Sequence, residues 1–245
     1  MNTPPEIPHA TPQAPDEAAF PAHLDLKHLV EGLLRRPHEL MDRLATPGHG
    51  AGGKFTLIML VSCLVFGVVL GCFAKHEQLW AAPLKIAAGM LISGAICFPS
   101  LYIFATLAGA RASLSQLSAC LAGSLAIAGL LLLGCSPAVW IFAESTDSFG
   151  FMGFLAIGAW IISLFFALKF LLTAIRQTGG SQSGPLFIWG AIFALVTLQM
   201  TTSLRPILGR SDRLLTQEKK FFLQHWGEMI GESLPQVPAG GGAAR

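Results

Sequence analysis

Charged residues are scarce in this chain. Asp, Glu, Lys and Arg make up 12% of its 245 residues, about half the share of a soluble domain. Hydrophobic residues make up 53% and the mean hydropathy is +0.59, more apolar surface than a soluble protein of this size buries. The composition therefore predicts an integral membrane protein. A net charge of +2 without a basic stripe or zinc-ligand spacing argues against nucleic acid as a partner.

Motifs of the common enzyme classes are also missing. The sequence contains no HExxH, no GxSxG, no Walker loop and no pair of carboxylates inside an apolar run. All seven histidines lie outside the apolar runs, and the five cysteines form no CxxC pair. We therefore expect no enzyme: no catalytic residues, no metal site, no cofactor and no disulfide framework. Proton-coupled transport is disfavoured as well, because it places ionisable groups in the membrane core.

The two ends of the chain differ in composition from its centre. Residues 1–22 are rich in Pro and Ala, have no signal-peptide pattern and predict a disordered tail. Residues 23–54 predict amphipathic juxtamembrane helices, interrupted at Pro37, and then the hinge "TPGHGAGGK". These helices would lie either on the membrane surface or against the protein's own loops. Residues 209–234 predict one more amphipathic helix, and 235–245 a disordered tail.

Five apolar runs occupy residues 55–208. Each reaches the length of about 20 residues that a helix needs to cross the hydrocarbon core, and short connections make consecutive helices antiparallel neighbours. The sequence therefore predicts an all-α, polytopic transmembrane bundle of five spans. The runs extend from Phe55 to Ala74, Ile86 to Ala108, Leu117 to Ala143, Phe149 to Ile175 and Pro185 to Leu208.

Proline interrupts two of these runs, at Pro99 in "ICFPSLYIF" and at Pro137 in "GCSPAVW". In lipid a helix cannot give its hydrogen bonds to water, so the chain is expected to stay helical and to kink. Ser100 is placed to bond a carbonyl that the first proline frees, and Ser136 stands next to the second. The kinked helices would either line a cavity or serve only to let the helices pack against each other.

Polar residues gather in the last run, in "VTLQMTTSLRP". Helical spacing puts Thr197, Thr201 and Arg205 on one face and Gln199 and Ser203 on an adjacent one. One interpretation is a polar groove that meets a lipid phosphate or an anionic substrate. The other is interhelical hydrogen bonding with an interfacial arginine anchor. The residues that would serve the kinks or the groove are Pro99, Ser100, Tyr102, Pro137, Thr197, Gln199, Thr201, Ser203 and Arg205.

The positive-inside rule barely orients the chain. One side would hold Arg35, Arg36, Arg43, Lys54, Arg111, Lys169 and Arg176. The other side would hold an equal number: Lys75, Lys85, Arg205, Arg210, Arg213, Lys219 and Lys220. The usual dominance of the first helix, and the acidic "ESTDS" connection, favour a cytoplasmic N-terminus.

Three stretches resemble the bacterial members of the Yip-domain family. They are "GLLRRPHELMDRLA", "LAGARASLSQLSACLAGSLAIAG" and "LKFLLTAIRQTGGSQSGPL", and the likeness covers residues 27–208. Gly109, Arg111, Ser115 and Gln116 match the family's link between its second and third spans. The "FPSLY" stretch and the long C-terminal tail depart from the pattern. The resemblance implies a five-span bundle with its N-terminus in the cytoplasm and no established chemistry.

These observations leave three functional hypotheses. The first is a non-enzymatic scaffold or accessory subunit in the bacterial inner membrane, with a membrane-protein partner or a second copy of itself. The second is a transporter or channel for small solutes or lipids, built on the proline-kinked spans and the polar last span. The third is a lipid-modifying or lipid-binding membrane protein in which Arg205 and Arg210 face head groups.

Overall fold

The computed structural model describes residues 26–35, 39–40, 51–74, 78–146, 148–182 and 184–203. Within these ranges the chain is helical apart from short connections, and it contains no strand. The all-α prediction is therefore confirmed. The helices are α1 (Leu26–Arg35), α2 (Ala51–Ala74), α3 (Gln78–Leu107), α4 (Leu114–Ser145), α5 (Phe149–Gln177) and α6 (Gly184–Ser203).

Four helices of the described chain are long and apolar enough to cross a membrane. The candidate spans are Ala51–Phe73, Trp80–Leu107, Leu114–Ser145 and Gly150–Gln177. The fifth apolar run forms α6, whose apolar part, Gly184–Met200, is shorter. The predicted tails, 1–22 and 235–245, and the C-terminal helix, 209–234, lie outside the described residues.

Two helices begin earlier than the sequence predicts. Helix α2 starts at Ala51, inside the expected hinge, and the Thr56 hydroxyl donates to the Gly52 carbonyl at 2.9 Å. Helix α3 starts at Gln78, eight residues before the predicted run. Lys85 therefore lies in α3, where it is buried, and not in a loop as we expected. The hydropathy of the run marks the centre of each span, while the helix continues into its polar flanks.

The helices pack around α2. Helix α2 contacts α4 and α3 along much of its length, α5 packs on the far side of α4, and α6 packs on α3. Helices α5 and α6 are consecutive but share few contacts. Helix α1 lies against α2 and α4 and buries Leu29 and Leu33. We expected the juxtamembrane helices to lie either on the membrane surface or against the protein's own loops. Helix α1 packs against helices of the bundle.

Gly67 sets the distance between α2 and α3. A Cβ atom at this position would overlap the Cα of Pro83, so the backbone of one of the two helices would have to shift. Gly67 begins the GxxxG pattern that ends at Gly71. The small residue therefore allows close helix approach inside one subunit.

Two loops at one end of the bundle are hydrogen-bonded to each other, and we call residues 108–113 and 178–182 the loop pair. The Arg111 amide donates to the Thr178 carbonyl at 3.0 Å, and the Ser181 amide to the Ala108 carbonyl at 3.0 Å. Gly109 and Gly179 have φ of 89° and 101°, a region that favours glycine. The start of α2 and the helix α1 lie at the same end, which we call the loop end. Helices α2, α4 and α6 finish at the opposite end.

Candidate functional site

The turn of α3 that contains Pro99 is the point where α6 docks. The indole Nε1 of Trp189 donates to the Cys97 carbonyl at 3.2 Å and to the Ser100 Oγ at 3.0 Å. Trp189 is only 1% exposed, and a buried indole N–H requires such a partner. This contact between α3 and α6 is a side-chain hydrogen bond that crosses from one helix to another inside the bundle. We call Cys97, Ser100 and Trp189 the α3–α6 lock.

The hydroxyl of Ser100 bonds to a different carbonyl from the one that we expected. Proline at position 99 has no N–H, so the carbonyl that it frees belongs to Ala95, one turn back. The Ser100 hydroxyl donates instead to the Cys97 carbonyl at 2.8 Å. It thereby becomes an acceptor for the indole of Trp189. The serine beside the proline thus belongs to a contact with the neighbouring helix.

The other side of the α3–α6 lock is an aromatic stack. The rings of Trp189 and Phe193 lie nearly parallel, 11° apart in tilt, with centroids 5.2 Å apart. Both side chains are buried, and Thr197 follows one turn later on the same face of α6. The spacing Trp189, Phe193, Thr197 therefore defines the stripe by which α6 meets α3. Our sequence reasoning missed Trp189, although a tryptophan and a phenylalanine four residues apart were a usable signal.

The structure describes part of the polar face expected on α6. Thr197 is buried, and its hydroxyl donates to the Phe193 carbonyl of its own helix at 2.6 Å. Gln199 is half-buried. Thr201 and Ser203 continue the helix, but their side chains are not described, and Arg205 lies outside the described residues.

The two prolines of the predicted kinks, Pro99 and Pro137, lie far apart. Pro99 stands eight residues before the end of α3, and Pro137 stands 23 residues after the start of α4. At a rise of about 1.5 Å per residue, their depths from the loop end differ by roughly 20 Å. Both prolines are exposed on the outside of the bundle. Tyr102 is also exposed there, at 39%.

Ser136, the neighbour of the second proline, also bonds within its helix. Pro137 frees the carbonyl of Leu133. The Ser136 hydroxyl donates to the Leu132 carbonyl at 3.3 Å. The helix α4 remains continuous from Leu114 to Ser145, as predicted for a proline in lipid.

Two further polar residues lie inside α3. Ser93 is fully buried, one turn before Cys97, and its Oγ has no hydrogen-bond partner among the described residues. Lys85 is two turns further back and is also buried. Lys85 precedes the predicted apolar run, and it lies within the helix because α3 begins before that run.

Most hydroxyls in the described spans bond to carbonyls of their own helix. Ser124 donates to Leu121, and Ser163 donates to Ala159, each at 2.8 Å. These hydroxyls are therefore satisfied within their own helices. The described residues include no group of three His, Cys, Asp or Glu side chains placed to hold a metal ion.

Several membrane-spanning helices, short connections and helix-bonded polar groups define a multi-pass α-helical membrane protein. No family model matches the chain, and neither a curated protein nor a solved structure matches it.

Proposed function

We propose that this protein is a non-enzymatic scaffold or accessory subunit of a membrane complex. The observation that carries the proposal is the bonding of its hydroxyl groups: in the described spans most serine and threonine hydroxyls donate to carbonyls of their own helix, and Ser100 also belongs to the α3–α6 lock. A bundle of this kind offers a stable set of outward helix faces to other membrane components. Its function would then depend on those faces.

Helix α5 offers one such face. It packs on α4, shares few contacts with α6 and leaves a row of large side chains outside. The exposed residues are Phe154, Ile161, Ile162, Phe165 and Phe166. In the membrane such a face meets either lipid or a partner helix.

Photo-crosslinking tests this proposal. A photoreactive amino acid at Phe165, which is 64% exposed, should capture a defined protein in native membranes. The same amino acid at Phe55, which is 0% exposed, is the matched control and should capture only the chain itself. Lipid adducts alone at Phe165, with no protein adduct, would contradict an α5-mediated scaffold.

The proposal includes five spans, with α6 as the fifth. Its 20 residues extend for about 30 Å, the thickness of the hydrocarbon core. It also lies antiparallel to α3 and buries Trp189 against it. With five spans, reporters fused to the two chain ends lie on opposite sides of the membrane, whereas four spans place them on one side.

We further propose that the loop end faces the cytoplasm of a bacterial cell, across its inner membrane. Lys85 lies inside α3, so it no longer counts as a loop charge on the opposite side. Lys54, Arg111 and Arg176 remain exposed at the loop end. The positive-inside rule then favours this end as the cytoplasmic one, and with it the N-terminus.

Membership of the Yip-domain family is part of the same proposal. The residues that carry the resemblance have clear structural roles here: Gly109 takes the positive φ that ends α3, and Gln116 caps α4. The Ser113 amide donates to the Gln116 side chain at 2.8 Å, which completes a capping box. These roles explain why a link between two spans would need such residues.

Transport is the second candidate function, and the buried polar groups of α3 favour it. Ser93, on α3, lies on the side that also carries Cys97 and Ser100, and Thr197 lies on the facing stripe of α6. A path along this seam would need the polar end of α6. Flux into proteoliposomes that disappears in Gln199→Ala or Arg205→Ala, while the folded protein remains, would support transport over the scaffold.

A further inference from the structure

Exposed apolar side chains lie at the end of the bundle where α6 finishes. Trp80 and Leu84 are exposed near the start of α3, and Trp80 is 84% exposed. Trp140 and Ile141 are exposed near the end of α4, and Phe154 is exposed near the start of α5. We call these five residues the apolar rim. Apolar surface of this kind is covered by lipid tails, by a partner or by another part of the chain.

Lipid tails do not reach the outermost residues of the apolar rim. The loop pair contains the exposed Arg111 and polar backbone, so the loop end lies outside the hydrocarbon core. Trp80 and Leu107 stand near opposite ends of α3, and Trp140 and Leu114 stand near opposite ends of α4. At about 1.5 Å per residue, the members of each pair are separated by roughly 40 Å. The core is only about 30 Å thick, and a helix tilt of about 20° shortens that separation by just a few ångströms.

Helix α6 brings the C-terminal part of the chain to the apolar rim. The α3–α6 lock holds Trp189 against α3, and the two helices are antiparallel. Counted from Trp189, the last residue of α6, Ser203, is level with the second turn of α3, which contains Leu84. Residues 204–208 cover at most about 20 Å when extended. The segment 209–234 therefore begins within reach of the apolar rim.

The residue pattern of this segment fits an apolar surface. At about 1.5 Å per residue, a helix over residues 209–234 is about 39 Å long, which exceeds three helix diameters of about 10 Å. One face of the predicted helix would carry Arg213, Lys220 and Glu228. The opposite face would be apolar, and it consists of Leu214, Leu215, Phe221, Phe222, Trp226, Met229 and Ile230.

We propose that residues 209–234 form an amphipathic helix whose apolar face packs on the apolar rim. The chain uses an amphipathic segment in this way at the loop end, where α1 packs Leu29 and Leu33 against the bundle. Docking would remove the large side chains of the rim from the water and head groups that otherwise surround them. A segment of the same chain also has a high effective concentration at the rim, which a separate partner lacks. The docking does not depend on the scaffold role, because a scaffold and a transporter would both keep it.

Photo-crosslinking of the full chain in native membranes tests this docking. A photoreactive amino acid at Phe222 should form adducts within its own chain, to peptides that contain Trp80, Trp140 or Phe154. Lys220 is the matched control, because it lies on the opposite face of the predicted helix and should give several-fold fewer of these adducts. Co-expression of isotope-labelled and unlabelled chains separates adducts within one chain from adducts between two chains.

Three outcomes of this experiment would overturn the proposal. Adducts from Phe222 to lipid alone would show that the segment lies on the membrane surface and not on the rim. Adducts to another protein or to a second copy alone would assign the apolar rim to a partner. Equal yields from Phe222 and Lys220 would show that the segment has no preferred face toward the bundle.

Hydroxyl-radical oxidation of tryptophan is a second test, which needs no photoreactive residue. Phe222→Glu places a charge in the apolar face, so the segment should leave the rim and the oxidation of Trp80 should rise several-fold. Lys220→Glu changes a charge on the other face and should leave the oxidation of Trp80 unchanged. Trp189 is 1% exposed, so its protection in both variants shows that the bundle remains folded. Unchanged oxidation of Trp80 in Phe222→Glu, with Trp189 protected, would contradict the docking.

Discussion

The indole nitrogen of Trp189 lies 3.0 Å from the Ser100 hydroxyl and 3.2 Å from the Cys97 carbonyl. This relationship joins α6 to α3 at the turn that precedes and includes Pro99. The donor is a buried indole N–H, and the acceptors are a backbone carbonyl and the hydroxyl of Ser100. The sequence had predicted that this hydroxyl bonds to the carbonyl freed by Pro99. The stability of α6 in the bundle should therefore depend on these atoms.

Removing the indole N–H should weaken the α3–α6 lock. Trp189→Phe keeps an aromatic ring in the stack with Phe193 but deletes the donor, and it leaves buried acceptors with one partner fewer. We expect the free energy of unfolding to fall by about 1–3 kcal/mol, measured by denaturation in detergent micelles. Trp140→Phe is the control, because Trp140 is 52% exposed, and it should have little effect.

Replacing Gly67 should separate α2 from α3. Gly67→Ala places a methyl group against the Pro83 backbone, so the two helices must move apart. Overpacking of this kind destabilises by about 1–3 kcal/mol, and a backbone contact places it at the upper end. Gly134→Ala is the matched control, since nothing lies within 4 Å of its added Cβ. Equal melting temperatures for both variants would contradict the close contact between α2 and α3.

The loop pair should respond to a change in backbone preference. Gly109→Ala forces a residue with a Cβ into a positive φ, which destabilises that conformation by about 1–2 kcal/mol. The Ser181 amide, bonded to Ala108, should then exchange its hydrogen faster. Gly109→Asn should be milder, because Asn tolerates this region better than Ala. Unchanged exchange in the alanine variant would show that the two loops are not coupled.

Thr197 distinguishes a structural hydroxyl from a transport residue. Thr197→Val removes a donor whose acceptor is the Phe193 carbonyl in the same helix. Because that carbonyl keeps its helical environment, we expect a change in stability of less than about 1 kcal/mol. In a scaffold the variant should leave partner capture unchanged. A loss of solute flux in proteoliposomes would instead assign Thr197 to a transport path.

The coarse architecture could be predicted from the sequence, because long apolar runs leave a chain little choice in lipid but to be helical. The ends of the helices could not, since α3 continues through polar residues and carries Lys85 inside. Hydropathy indicates which residues lie in the hydrocarbon, but it does not indicate how far the helix continues into the polar residues on either side. The fifth span stays a prediction.

The details of the candidate site were less predictable. Proline and serine at positions 99 and 100 predicted a hydrogen bond within α3, from the Ser100 hydroxyl to the carbonyl that the proline frees. Only the position of α6 shows that Ser100 also contacts Trp189. Long-range pairs of this kind, 89 residues apart in the chain, leave no periodic signal. The polar face of α6 was predicted by spacing, and the structure shows Thr197 buried on it. The lining role of Gln199, Thr201, Ser203 and Arg205 stays a prediction.

The most direct test of the scaffold proposal is extraction of the tagged full chain in native lipid discs, followed by quantitative protein mass spectrometry. The account predicts a second membrane protein, or a second copy of the chain, in a fixed stoichiometric ratio. The Trp140→Phe variant should keep that ratio, because it leaves the bundle intact. A chain that is recovered alone, and that moves a solute across a vesicle wall when reconstituted, would contradict the account.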